Sequence, residues 1–63
     1  MSKVDIYRLR EDLKDYFGTA MMINPMAVVE LSIVENASDE ELEQIAIENG
    51  FDLEEYKNKK FKL

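Results

Sequence analysis

The stretch that decides the fold is SDEELEQIAIENGF, residues 38–51, because it carries the signals for both ends of a helix. Ser38 is typical of a helix N-cap, and Glu41 three residues later completes a capping box. Gly50 suits the left-handed residue that follows a helix, and the aromatic residue after it is placed for the apolar contact of a Schellman motif. The segment therefore predicts a helix over residues 39–49. Its inward positions are Leu42, Ile45 and Ala46.

Two further helices are predicted on the N-terminal side of this stretch. Apolar residues that follow one stripe of a 3.6-residue period predict a helix over about residues 5–17, which ends at Gly18. Asn24 as N-cap and Pro25 at the first helical position predict a second helix over about residues 25–35, at the centre of the bundle. The stripe of the first helix is Ile6, Leu9, Leu13, Tyr16 and Phe17.

The second of these helices has a competing interpretation. Val29, Leu31 and Ile33 alternate with Glu30 and Ser32, which is the pattern of a strand. A single strand in so short a chain needs a partner strand, and the sequence offers no second alternating run or hairpin turn. We therefore predict a helix here.

After Gly50 the chain has the features of a short fourth helix. Asp52 is a candidate N-cap for a helix over residues 53–58 with Tyr56 turned inward, and residues 59–63 form a basic tail that we expect to fray. The predicted fold is all-α, a three- to four-helix bundle that forms a single domain over residues 1–63. The predicted core positions are Leu13, Val29, Ile33, Leu42, Ile45 and Phe51.

The composition argues against catalysis. The chain has 63 residues with no cysteine, no histidine and only two glycines. Nucleophilic triads and the common zinc and haem sites use histidine or cysteine, and phosphate-binding loops are rich in glycine. We therefore predict a protein that is not an enzyme and that holds no metal or cofactor.

Charge is unevenly distributed along the chain. The formal net charge is −6, and residues 38–56 carry eight acidic residues and no basic one. Such a run is typical of a solvated helix face, and a net acidic domain is repelled by nucleic-acid phosphates and by anionic lipid. The predicted acidic face comprises Asp39, Glu40, Glu43, Glu54 and Glu55.

Residues 1–5 contain no apolar segment of the kind that begins a secretory signal. The longest apolar stretch, residues 20–34, is interrupted by polar residues and is shorter than the roughly 20 residues that span a bilayer. We expect a cytoplasmic protein.

Residues 42–51 resemble the first helix and turn of a helix-turn-helix unit, in which an alanine lies four residues before the turn glycine, as Ala46 and Gly50 do. The resemblance implies DNA binding. The chain departs from the family at Asn49, where an apolar residue is usual. The segment that would enter the groove begins with Asp52 and two glutamates, whose charge opposes phosphate.

Residues 41–53 also resemble the end of the leader segment of Nif11-type peptide precursors. In those leaders, a helix ends in Ala-x-x-x-Gly followed by an aromatic residue and Asp. A further acidic helix comes next. A family precursor continues through a Gly-Gly-type site into a core peptide, and this sequence has no Gly-Gly pair. In its size, charge and predicted helices, the whole chain resembles the small acidic helical proteins of many bacteria. This similarity implies no role.

Three methionines, Met21, Met22 and Met26, cluster before the second helix. Methionine often fills irregular gaps in a core, and it also forms adaptable surfaces for partner helices. The apolar side chains of the central segment outnumber the inward positions of a small bundle. The favoured function is therefore a protein–protein interaction module in which these methionines bind an unidentified protein or a second copy. DNA binding is the alternative.

Overall fold

The computed structural model describes residues 4–57, and within them the fold is all-α, as predicted. Residues 28–34 are helical, so the strand interpretation is wrong. Outside the helices, Val4 and Lys57 form an isolated antiparallel bridge. The predicted basic tail, residues 59–63, lies outside the described residues. The elements are α1 (Ile6–Ala20), α2 (Ala27–Asn36), α3 (Asp39–Glu48) and a 3₁₀ helix (Leu53–Tyr56).

Helix α1 is capped by Asp5 and continues past its predicted end. The Asp5 side chain accepts a hydrogen bond from the backbone N–H of Arg8 at 3.1 Å. The helix passes through Gly18 to Ala20, so the prediction that Gly18 ends it is wrong. Of the two described glycines, Gly50 has a positive φ and Gly18 does not. Gly18 therefore does not interrupt the helical backbone. The regular α-helix ends at Ala20, and hydrogen bonds between residues three apart continue the turn as far as Ile23.

Helix α2 begins two residues later than predicted, and its N-cap is Met26, so the prediction of Asn24 as N-cap and Pro25 as first helical residue is wrong. The Asn24 side-chain oxygen accepts from the N–H of Met26 at 3.1 Å. The first turn is tightened by hydrogen bonds between residues three apart, such as Ala27 N–H to the Asn24 carbonyl at 2.9 Å. Tight 3₁₀ turns are common at helix starts, and here one shifts the regular helix to Ala27.

Helix α1, and not α2, lies at the centre of the fold. It packs against α2, α3 and the 3₁₀ helix, whereas α2 packs mainly against α1. The prediction that the second helix is central is therefore wrong. The core side chains with no exposed surface are Leu9, Leu13, Val34 and Leu42, together with Ala46.

Two predicted core positions lie at the surface. Val29 is 49% exposed and Ile33 is 48% exposed. The face of α2 that meets α1 carries Ala27, Leu31 and Val34. Val29 and Ile33 each lie two residues from one of these positions, and two residues rotate a helix by about 200°. Because α2 has only one close neighbour, its second apolar stripe has nothing to pack against.

The remaining predicted core positions are buried or line the core. Leu13 and Leu42 are fully buried, which confirms the prediction for them. Ile45 and Phe51 are partly buried and pack against the core. Tyr16, placed on the inward stripe of the first helix, is 45% exposed, and its ring contacts the Phe51 ring edge-on at 5.5 Å between centroids.

Helix α3 has both predicted ends. Ser38 Oγ accepts from the Glu41 N–H at 3.2 Å, and Glu41 Oε1 accepts from the Ser38 N–H at 3.0 Å, which completes the capping box. The Schellman motif is formed by Phe51 N–H to the Ala46 carbonyl at 2.9 Å, with Gly50 at φ +83°. These ends were predictable because their chemistry is local.

Beyond Gly50 the chain forms a single 3₁₀ turn in place of the predicted α-helix. Asp52 caps it by accepting from the Glu54 N–H at 3.0 Å, as predicted. Tyr56 is buried, also as predicted. The Asp5 N–H donates to the Tyr56 carbonyl, which ties this turn to the start of α1.

Candidate interaction surface

Large apolar side chains are exposed in the connection between α1 and α2 and along one face of α2. Met22 is 86% exposed, Ile23 is 88% exposed and Met26 is 69% exposed. Val29 and Ile33 continue from Met26 along α2 at intervals of three and four residues, on one face of the helix. We call these five residues the apolar surface.

Backbone hydrogen bonds fix the turn that presents these side chains. The N–H of Met22 donates to the Thr19 carbonyl at 3.1 Å, and that of Ile23 donates to the Ala20 carbonyl at 3.0 Å. The chain thus continues the rotation of α1 by about one further turn before Asn24. Met21 differs from its neighbours because it is only partly exposed.

The structure separates the three methionines singled out from the sequence. Met22 and Met26 belong to the apolar surface, whereas Met21 caps the end of α1 and is partly buried. Sequence reasoning missed Ile23 and assigned Val29 and Ile33 to the core. The signal that could have found them is a second stripe on α2, since Met26, Val29 and Ile33 share one face.

A partly buried arginine contact links α1 to the end of α2. Arg10 Nη1 donates to the Val34 carbonyl at 2.8 Å and to the Ala37 carbonyl at 3.0 Å. Carbonyls at the end of a helix have no partner within it, and a cation there also favours the helix dipole. The Arg10 side chain is therefore partly buried between α1 and α2.

An open groove of about 450 Å³ runs along α1 and includes Ile23 in its lining. Its polar side is formed by two α1 carboxylates, those of Asp12 and Asp15. Asp15 makes no hydrogen bond or ion pair with another residue of the 4–57 region. The groove therefore combines apolar walls with an unpaired anion. The lining residues are Asp12, Asp15, Tyr16, Thr19, Ala20 and Ile23.

Asp12 is engaged on its other side by a buried tyrosine. The Tyr56 hydroxyl donates to Asp12 Oδ2. This hydrogen bond, with burial and the nearby carboxylate charge, raises the pKa of Tyr56 to about 12. The Arg8 guanidinium lies over the Tyr56 ring, 4.7 Å from its centroid, and donates to the Glu55 carbonyl at 3.2 Å. A phenol with so high a pKa stays protonated at neutral pH and serves here as a structural donor.

The residues of the predicted acidic face are spread over two elements. Asp39 and Glu40 are exposed in the first turn of α3, and Glu43 is half-buried one turn later. Glu54 and Glu55 are exposed in the 3₁₀ helix, where Glu54 Oε2 forms an ion pair with Lys57 at 2.9 Å. Among residues 4–57, no three acidic side chains come together as a metal site would require.

No helix in the described part of the chain is both long and apolar enough to cross a membrane. The chain matches no protein-family model, and comparisons with curated proteins and with solved structures gave no significant match. The molecule is thus defined by its own features, as a small all-α fold with an exposed apolar surface.

Proposed function

We propose that this protein is a non-enzymatic protein–protein interaction module that binds its partner through the apolar surface. The observation that carries the proposal is the exposure of Met22, Ile23 and Met26, which are each more than two-thirds exposed. Large contiguous apolar patches on soluble proteins commonly mark interaction sites. The proposal includes a cytoplasmic location and the absence of a cofactor, as predicted from the sequence.

The free energy available at this surface is comparable in size to the cost of association. Full burial of an aliphatic or methionine side chain contributes about 1.5–3 kcal/mol. The five residues of the apolar surface are between about one-half and nine-tenths exposed. Covering them therefore offers on the order of 5–10 kcal/mol before the cost of association, which is about 4–15 kcal/mol. Moderate affinity then requires additional polar contacts at the rim.

The shape of the surface also suits a helical partner. Met26, Val29 and Ile33 form an exposed stripe along one face of α2. Amphipathic helices bind such surfaces by inserting side chains spaced three and four residues apart. Methionine side chains adapt to the shape of a partner because they are unbranched and polarisable.

The DNA-binding alternative ranks second. A helix-turn-helix protein places its second helix in the major groove. Here the segment after Gly50 is a four-residue 3₁₀ helix with exposed Glu54 and Glu55, whose charge opposes the approach of phosphate. Fluorescence anisotropy with duplex DNA at physiological salt separates the two functions. The interaction module shows no binding, and a DNA binder shows affinity that falls steeply with salt.

Position-specific photo-cross-linking tests the proposed function. The photoreactive residue p-benzoylphenylalanine replaces Met22 in one variant and Glu40 in the control, because both positions are exposed and Glu40 lies on α3. After irradiation of cells that naturally make the protein, we expect a discrete adduct of defined mass from position 22 only. The proposal is wrong if position 22 gives no adduct, or gives the same adducts as position 40.

A further inference from the structure

We infer that the partner is a second copy of this chain, and that two copies pack their α2 helices antiparallel along the stripe of Met26, Val29 and Ile33, here called the α2 stripe. The inference rests on the proposed function and identifies the occupant of the same surface. Three properties support a second copy: the spacing of the stripe, the low charge of the segment around it, and the area that the apolar surface exposes.

The α2 stripe lies on a side of α2 that is free of contacts within the described chain. Successive helix residues are rotated by about 100°, so the three residues of the stripe fall within about 60° of one another. The face toward the core carries Ala27 and Val34, which lie outside this sector. Helix α2 packs mainly against α1, so the stripe is left for another molecule.

The spacing of the α2 stripe suits antiparallel pairing with itself. A closed dimer has a two-fold axis, so every contact occurs twice with the roles of the copies exchanged. When this axis passes beside Val29, Met26 of one copy lies opposite Ile33 of the other, because these residues are three before and four after Val29. The smaller valine at the crossing point lets the two helices approach closely, and the larger side chains fill the two ends.

Charge favours α2 as the place where two copies meet. The net charge of −6 opposes self-association over most of the surface. Residues 20–37 carry only two acidic residues, Glu30 and Glu35, whereas residues 38–56 carry eight. Two copies that meet along α2 therefore bring together the segment with the least like charge.

The area of the apolar surface fits a weak dimer. Ile23 is three residues from Met26, so its Cα lies within about 11 Å of the start of the α2 stripe. The five residues of the apolar surface expose on the order of 600 Å² per copy, against about 800 Å² per partner in a standard interface. A two-fold dimer buries about 1,200 Å² in total, at the lower edge of specific interfaces. We therefore expect a dissociation constant of about 10–100 μM.

Sedimentation velocity of the full chain between about 1 μM and 1 mM measures this dimer. Val29→Glu and Val28→Glu are matched variants, because both valines are 49% exposed on α2 and Val28 is rotated by about 100° away from Val29. We expect Val29→Glu to raise the dissociation constant at least about tenfold and Val28→Glu to raise it less than about threefold. Circular dichroism verifies the helical fold of each variant. Val29→Ser and Val28→Ser repeat the comparison if a glutamate variant does not fold.

Disulfide formation tests the antiparallel arrangement. The chain has no cysteine, so one introduced cysteine forms a protein disulfide only between copies. Residue 29 lies beside the proposed axis, so Val29→Cys is expected to give a covalent dimer with glutathione disulfide as the oxidant. Met26→Cys is not, because antiparallel pairing separates the two residues 26 by about 9 Å along the helix, beyond the roughly 7 Å between Cα atoms that a disulfide spans.

The salt dependence distinguishes a second copy from an oppositely charged partner. Salt screens the repulsion between two chains of charge −6, so we expect the dimer to tighten between about 0.05 and 0.5 M sodium chloride. An interface held by ion pairs weakens over the same range.

Several results overturn the inference. These are a chain that stays monomeric at about 1 mM, equal effects of Val29→Glu and Val28→Glu, a dimer that weakens as salt is raised, and a disulfide that forms as readily at position 26 as at position 29. In cells, a second copy predicts that the adduct from position 22 has twice the 7.4 kDa mass of the chain. If the chain is monomeric and position 22 gives an adduct of another mass, only the second copy is refuted and the proposed function stands.

Discussion

Replacement of Tyr56 by phenylalanine tests how the 3₁₀ helix is held against α1. The variant loses the hydroxyl that donates to the Asp12 carboxylate. Hydrogen bonds to charged groups contribute about 1.5–3 kcal/mol, so we expect the free energy of unfolding at pH 8 to fall by about 2 kcal/mol. A chain of this size has a total stability of roughly 3–9 kcal/mol, so the change is readily measured.

The effect of this substitution depends on pH, and its sign follows from the raised pKa. The pKa of Tyr56 is about 12 in the folded protein against 10.0 for the free side chain, so deprotonation favours the unfolded chain. The stabilisation is complete below about pH 10 and is lost as the pH rises toward 12. By about pH 11.5 the parent loses about 2 kcal/mol through this group, whereas Tyr56→Phe has no such group to lose.

The assay is urea denaturation followed by circular dichroism at 222 nm, for the parent and the variant at about pH 8 and pH 11.5. We expect the stability difference between them to shrink from about 2 kcal/mol to near zero. Tyr7→Phe is the control, because the Tyr7 side chain is 76% exposed and its loss leaves stability within about 0.5 kcal/mol. A Tyr56→Phe difference that is the same at both pH values refutes the assigned contact.

Three further predictions concern the fold. Arg10→Met removes two charged hydrogen bonds to the end of α2 and is expected to cost about 2–3 kcal/mol, whereas Lys14→Met, which breaks an exposed ion pair, costs less than about 0.5 kcal/mol. Equal losses in thermal melts contradict this. An added Cβ meets no atom within 4 Å at either glycine, so backbone conformation decides the effect of alanine. Gly50→Ala is expected to cost about 1–2 kcal/mol because Gly50 has a positive φ. Gly18→Ala is expected to gain about 0.5–1 kcal/mol because alanine is favoured over glycine inside a helix. In urea denaturation, a stabilised Gly50→Ala variant and a destabilised Gly18→Ala variant would refute both assignments. Leu42→Ala is expected to lose about 2–5 kcal/mol, and a variant that melts like the parent would remove Leu42 from the core.

The features that the sequence predicted correctly are those whose chemistry lies within a few residues. The capping box of Ser38 and Glu41, the Gly50 turn and the Asp52 cap each depend on hydrogen bonds across two to five residues. Local chemistry of this kind fixes where helices begin and end, and it does so without knowledge of neighbouring elements.

The features that were not predicted from the sequence depend on contacts between distant parts of the chain. Arg10 contacts carbonyls 24 and 27 residues away, and Tyr56 contacts Asp12 across 44 residues. The orientation of α2 was also not predictable from its composition, because apolar residues surround most of the helix. Packing against α1 selects the face of Ala27 and Val34, and so leaves Val29 and Ile33 exposed.

The most direct test of the account is the free energy of unfolding of a Met22→Gln, Met26→Gln double variant. Because these side chains are 86% and 69% exposed, the account predicts a stability within about 0.5 kcal/mol of the parent for each substitution. Glutamine keeps a similar side-chain length, so the substitution removes apolar character from the surface without creating a cavity. A loss of several kcal/mol in urea denaturation, with the parent chain monomeric at high concentration, would show that the methionines belong to the core. The proposed interaction surface would then be refuted.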